Sequence, residues 1–157
     1  MLTELTSEAT TREELGEKIR SIKRAKRLTW KKIAETAGSG SPVLITAALL
    51  GQMKLTETEA EHVAALLDLS PTEKMMLTEV PYRGSLPALP PTDPLIYRFY
   101  ELVQVYGTTW KALIEEEFGD GIMSAIDFDF TMERQPDPKG DRVKITMSGK
   151  FLPYKRY

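Results

Sequence analysis

Apolar positions in the first eighty residues recur at helical spacing, and the residues bounding each run are helix starts and stops. Thr11 and Glu14 have capping-box spacing, and Leu15, Ile19 and Ile22 follow three and four apart. The outer face of this helix is basic, with Lys18, Arg20, Lys23, Arg24, Lys26 and Arg27. A second short helix fits Trp30 to Ala37, stopped by Gly38. A third fits Pro42 to Leu50, with Ser41 as N-cap, Pro42 in the first turn and Gly51 past the end. Thr56 and Glu59 open a fourth, carrying Val63, Leu66 and Leu67. Ser70, Pro71 and Glu73 open a fifth, carrying Met76, Leu77 and Val80. Short helices with tight glycine turns predict an all-α bundle of helix-turn-helix, repressor-like type.

The stretch Val80 to Pro94 breaks the pattern with five prolines, which remove donors and block helix. It reads as an extended connection. Asp93-Pro94 then opens a helix from Leu95 to about Tyr106, closed by Gly107. Thr108 or Thr109 caps another, Trp110 to Phe118, closed by Gly119. Beyond Gly121 the period becomes two: Ile122, Ser124, Ile126, Phe128, Phe130 and Met132 share one face of a strand. Pro136 to Asp141 is a turn, and Val143, Ile145 and Met147 mark the return strand. The expected class is α+β. The helical domain (1–80) is followed by a Pro-rich linker (81–94) and a small α/β domain (95–157) with a β-hairpin. That last domain has a thin core, and an isolated hairpin is marginal in water. Phe128, Phe130, Tyr154 and Tyr157 nevertheless offer large apolar area. Burial against other copies, with exchanged strands, is the expected remedy.

Composition narrows the chemistry. The 157 residues include 21 Lys and Arg against 23 Asp and Glu, a net charge of -2 that does not suit a strongly basic nucleic-acid binder. The charge is even, with 11 basic and 12 acidic residues over 1–80 and 10 and 11 beyond. No apolar run is long enough to span a membrane. The acidic, polar start of the chain does not read as a secretory signal, so a cytoplasmic location is expected. Cysteine is absent and His62 is the single histidine, so thiolate chemistry and Cys-ligated metal are excluded. No cofactor is expected.

Three polar residues stand out. Arg98 and Glu101 lie three apart on the helix after the linker, so they share a face among Leu95, Phe99 and Leu102. They read either as a surface ion pair worth a few tenths of a kcal/mol, or as an arginine aimed at a small anion and oriented by Glu101. The setting predicts partial burial of that face. Ser124 occupies an apolar strand face, where a hydroxyl needs a partner. That partner is a backbone carbonyl or a ligand; without a base beside it, Ser124 reads as a donor and not as a nucleophile. The would-be recognition helix, Pro42 to Leu50, holds no Arg, Lys or Asn to read bases or grip phosphates. His62 reads as a partly exposed helix residue, Met75 and Met76 as core fillers, and Glu115 to Glu117 as a solvated face.

Ile45 to Gln52 (ITAALLGQ), the long block Pro91 to Phe130 with TDPLIYRFYE and FGDGIMSAI, and Gly149 to Lys155 (GKFLPYK) resemble the cyanase (cyanate hydratase, cyanate lyase) family over nearly the whole chain. The likeness is weakest over the first ten residues and Gly84 to Pro90. Where some relatives carry Cys after Arg-Gly, this chain has Ser85. The resemblance implies a repressor-like domain that does not serve DNA binding, and an interlocked dimer built into a decamer of five dimers. It implies bicarbonate-dependent decomposition of cyanate to ammonia and carbon dioxide through carbamate, in sites between subunits. Bicarbonate is then a co-substrate, and no metal or cofactor takes part. The family's catalytic Arg, Glu and Ser map onto Arg98, Glu101 and Ser124. The competing expectation is a small helix-turn-helix regulator with an anion-binding oligomerisation domain.

Overall fold

The structure, a computed structural model, describes residues 7–38, 41–84, 86 and 89–157. Ser85 and Pro87 of the linker fall outside the described residues. Among the described residues there are six helices and a two-stranded sheet. They are α1 (Arg12–Ala25), α2 (Trp30–Ala37), α3 (Pro42–Leu49), α4 (Glu57–Leu67), α5 (Pro71–Thr78), α6 (Pro94–Phe118), β1 (Gly121–Gln135) and β2 (Arg142–Pro153). The class is α+β, as the residue pattern indicates. The chain forms two compact units: residues 1–84 with 130–146, and residues 85–129 with 147–157.

In the first unit the capping chemistry is where the sequence puts it. Thr11, Thr56 and Ser70 each accept from the third helical N–H while Glu14, Glu59 and Glu73 reach back. Ser41 caps α3 ahead of Pro42, and Gly38 ends α2 in the left-handed region at φ 92. These helices bury Leu15, Ile19, Ile33, Ile45, Leu49, Leu67 and Leu77 in one core. Each such side chain contributes roughly 1.5–3 kcal/mol when taken from water. Met76 joins the core, but Met75 is exposed, because consecutive helical residues face different ways. Val80 also lies outside the core, past the end of α5.

A buried ion pair ties the unit together. The Glu73 carboxylate is fully enclosed and accepts from the Lys18 ammonium at 2.7 Å, the Ala9 N–H at 2.8 Å and the Ser70 N–H at 2.9 Å. Burial pushes its pKa up, but these hydrogen bonds outweigh burial and hold it below the usual carboxylate value. Arg12 adds a second tie, donating to the Ala48 carbonyl at 2.8 Å.

The second unit corrects the sequence reading in two places and qualifies it in a third. First, residues 94–118 form one helix of 25 residues, not two. Gly107 has no left-handed φ and continues the helix, and a Cβ there would meet only Val103 Cγ1 at ordinary distance. A glycine inside a helix costs only about 1 kcal/mol relative to alanine, too little to end a helix capped by Asp93. Second, the face holding Arg98 and Glu101 is only partly covered: Glu101 and Tyr97 are half-buried, Arg98 is exposed, and α6 has no fully buried residue within one chain. Third, the alternation along β1 does not bury one face. Ser124 is enclosed, but Ile126 is 98% exposed, and Met132 is exposed too. One chain supplies a sheet of only two strands, and both faces of β1 stay largely exposed along it.

Candidate active site

Helix α6 begins firmly. The Asp93 carboxylate accepts from the N–H groups of Leu95 and Ile96, both at 2.9 Å, and Pro94 supplies a preset φ in the first turn. One turn on, the Arg98 guanidinium donates Nη1–H to Glu101 Oε2 at 2.7 Å. The guanidinium carbon also lies 5.9 Å from the Tyr97 ring centroid, and Tyr97 leans on Tyr100 with centroids 6.1 Å apart. Two neighbours thus restrain a side chain that is otherwise 64% exposed, with Glu101 at 44%. A pair this exposed adds little stability. Its free Arg N–H groups remain available to an anion.

Ser124 is the opposite case. It is 6% exposed, and no other described residue from 92 to 157 is buried. Its Oγ accepts from the N–H groups of Ile126 and Asp127, each at 3.0 Å. The partners are donors and not the carbonyl expected of a buried serine. Both lone pairs are engaged, so the hydroxyl proton is left to donate. No hydrogen bond or ion pair among the described residues joins Ser124 to Arg98 or Glu101. A single chain brings Arg98 and Glu101 together and leaves Ser124 apart.

At the far end of α6 the Lys111 ammonium pairs with Glu115, whose hydrogen bond and charge raise the lysine pKa, with smaller help from Asp120 and Tyr154. Phe118 and Phe151 meet at 5.3 Å, and the Tyr154 N–H donates to the Asp120 carbonyl at 3.1 Å. His62 faces the end of α2, with Nδ1 3.1 Å from the Ala37 carbonyl oxygen. Residue-type reasoning passed over Tyr97 as a support for Arg98. It could have been found, because an aromatic residue flanks the arginine directly.

The comparisons bear on what this arrangement serves. Residues 12–81 match the family described as cyanate hydratase, N-terminal, and residues 88–156 match the cyanate lyase C-terminal domain. The cyanate hydratase of Ralstonia pickettii is 63% identical over 147 residues, spanning 93% of this chain and 99% of that protein. That of Dechloromonas aromatica is 61% identical over 146 residues, with the same two shares. A crystal structure of cyanase from T. urticae superposes with a TM-score of 0.75 at 37% identity, covering 88% of this chain and 96% of that one. With both halves matched, in order and nearly end to end, the chain belongs to the cyanate hydratase (cyanate lyase) family.

Proposed function

We propose that the protein decomposes cyanate with bicarbonate as co-substrate, in sites completed where copies of the chain meet. The observation that carries this reading is the setting of Arg98. It is a guanidinium restrained by Glu101 and Tyr97, on an apolar helix that has no fully buried residue within one chain. Leu95, Phe99, Leu102, Tyr106, Trp110 and Leu113 follow one another at spacings of three and four along α6, and all are exposed. Further copies of the same helix would cover that stripe and draw symmetry-related Arg98 residues into one crevice. The family relation supports a decamer of five dimers as the assembly.

The chemistry then follows from charge. Cyanate and bicarbonate repel each other and lose free translation on meeting; fixed donors in a dry crevice offset both. A bicarbonate oxygen attacks the cyanate carbon, and the resulting dianion takes up a proton at nitrogen and breaks the bond between that oxygen and the bicarbonate carbon. That releases carbon dioxide and leaves carbamate, which takes up a proton and yields ammonia and a second carbon dioxide. Two protons are consumed over the sequence HCO3⁻ + NCO⁻ + 2H⁺ → NH3 + 2CO2. Arg98 holds the anions through its planar fork. Ser124 donates its proton to an anionic oxygen. Glu101 orients Arg98, because an unpaired carboxylate would repel both substrates. No step transfers electrons, so no cofactor is invoked.

The test is ammonia release from cyanate with and without added bicarbonate, after dialysis against a chelator, with the mass in solution measured in parallel. The expected result is bicarbonate-dependent release, indifferent to the chelator, from a particle about ten times the 17.7 kDa chain. Release that ignores bicarbonate, or full activity from a monomer, overturns the reading.

A further inference from the structure

Gly149, on β2, has a backbone that any residue could adopt, since its φ is not in the left-handed region. Conformational freedom therefore does not explain the glycine. Close approach does. A Cβ at position 149 would fall on the Ser124 carbonyl oxygen, lie 2.7 Å from Met123 Cγ and crowd Phe128 Cδ2 at 3.2 Å. The first obstacle is backbone and cannot swing aside. Gly121 shows the same pattern in reverse. Its Cβ would meet Phe151 Cε2 at 2.8 Å and the Leu152 carbonyl oxygen at 2.5 Å. Two residues without side chains thus let the strands approach closely, one at Ser124 itself and one three residues before it. Ser124 is the one described residue beyond Pro91 that is buried.

From this geometry we infer that Gly149 is a positioning residue for Ser124: the bare backbone of β2 sets the height of the Ser124 peptide, and with it the direction in which the hydroxyl proton is presented. The Ser124 carbonyl meets β2 while its Oγ holds the N–H groups of Ile126 and Asp127, so the residue is gripped from both ends. A methyl group at 149 must lift β2 or rotate that peptide. Either change moves the hydroxyl on a scale that matters for a fixed donor. The inference rests on the role proposed above for Ser124.

The experiment is a double-mutant cycle on the full-length, assembled protein, read as kcat/KM for bicarbonate-dependent ammonia release. Ser124→Ala comes first: if it retains the wild-type rate, the role of Ser124 fails, whatever Gly149 does. Given a loss there, Gly149→Ala alone is expected to lower kcat/KM at least about tenfold. Added to Ser124→Ala, it is expected to change the rate by less than about twofold. An equal loss in both backgrounds, or a wild-type rate for Gly149→Ala, overturns the inference. Should Gly149→Ala fail to assemble, it is repeated with Met123→Ala, which vacates the Cγ position so that β2 can shift. An assembled but slow protein supports the inference. A wild-type rate, or failure to assemble again, assigns Gly149 a folding role only and overturns it.

Discussion

The helical unit and the region from α6 through the base of the hairpin solve the burial problem in different ways. In the first, α1 to α5 cap themselves, enclose Leu15, Ile19, Ile33 and Ile45, and bury an ion pair between Lys18 and Glu73. In the second, a 25-residue helix buries no residue fully within its own chain, and one serine is the only described residue enclosed. A helix of that length with apolar residues at three- and four-residue spacing would not stay in water alone. The contrast separates two uses of apolar surface: one set of residues encloses a core within the chain, and the other leaves its apolar side chains exposed, which is where the proposed contact between copies would fall. The proposed chemistry lies on the second set, where a crevice between copies would exclude water once they assemble.

That contrast can be broken at either side. The largest effect is expected at Arg98. Arg98→Leu should preserve the mass in solution and lower turnover by about a thousandfold or more; a rate near wild type would remove Arg98 from the mechanism. Next comes the apolar stripe. Leu102→Glu places a charge where copies are to meet, at about 3 kcal/mol or more per copy. Light scattering should show smaller particles, with activity lost in step, while the unfolding transition of the helical unit stays in place. An intact assembly would refute the stripe as the contact.

Smaller effects sharpen the other side. Glu73→Gln leaves Lys18 and the Ala9 N–H without their charged partner and should destabilise the helical unit by about 3 kcal/mol in denaturant unfolding. The Glu73 pKa is depressed in the folded protein. Its stabilisation is therefore whole above the ordinary carboxylate value and is lost as the pH falls through the folded value. The gap between wild type and variant should close on acidification over that range; a constant gap would show that the charge does not matter. Thr56→Ala removes the cap of α4, whose hydroxyl accepts from the Glu59 N–H at 3.3 Å, and should cost about 1 kcal/mol. Neither change should slow the assembled protein at saturating cyanate.

The helical unit was legible because its signals are local. A capping box spans four residues, and an apolar period of three and four needs one helix. The same reasoning failed at Gly107, where a residue that ends helices elsewhere sits inside one. Whether glycine terminates depends on whether the following residues take the helical path, and in α6 they do. It failed again along β1, where alternation from Ile122 to Met132 implied one buried face. Alternation marks two faces, but whether either is buried depends on what packs against the sheet, and within one chain both faces of β1 stay largely exposed.

Residue types and spacing determined the helices of the first unit, the turn before β2 and the pairing of Arg98 with Glu101, because each is decided within a few residues of chain. They singled out Ser124 as an enclosed hydroxyl but not the two backbone N–H groups its oxygen accepts from. The fold alone decided that its oxygen accepts from Ile126 and Asp127, that Gly149 lies against its carbonyl, and that α6 buries no residue fully within the chain. Those facts depend on where a distant strand passes and on what remains unburied once the chain has folded. No local pattern encodes either one.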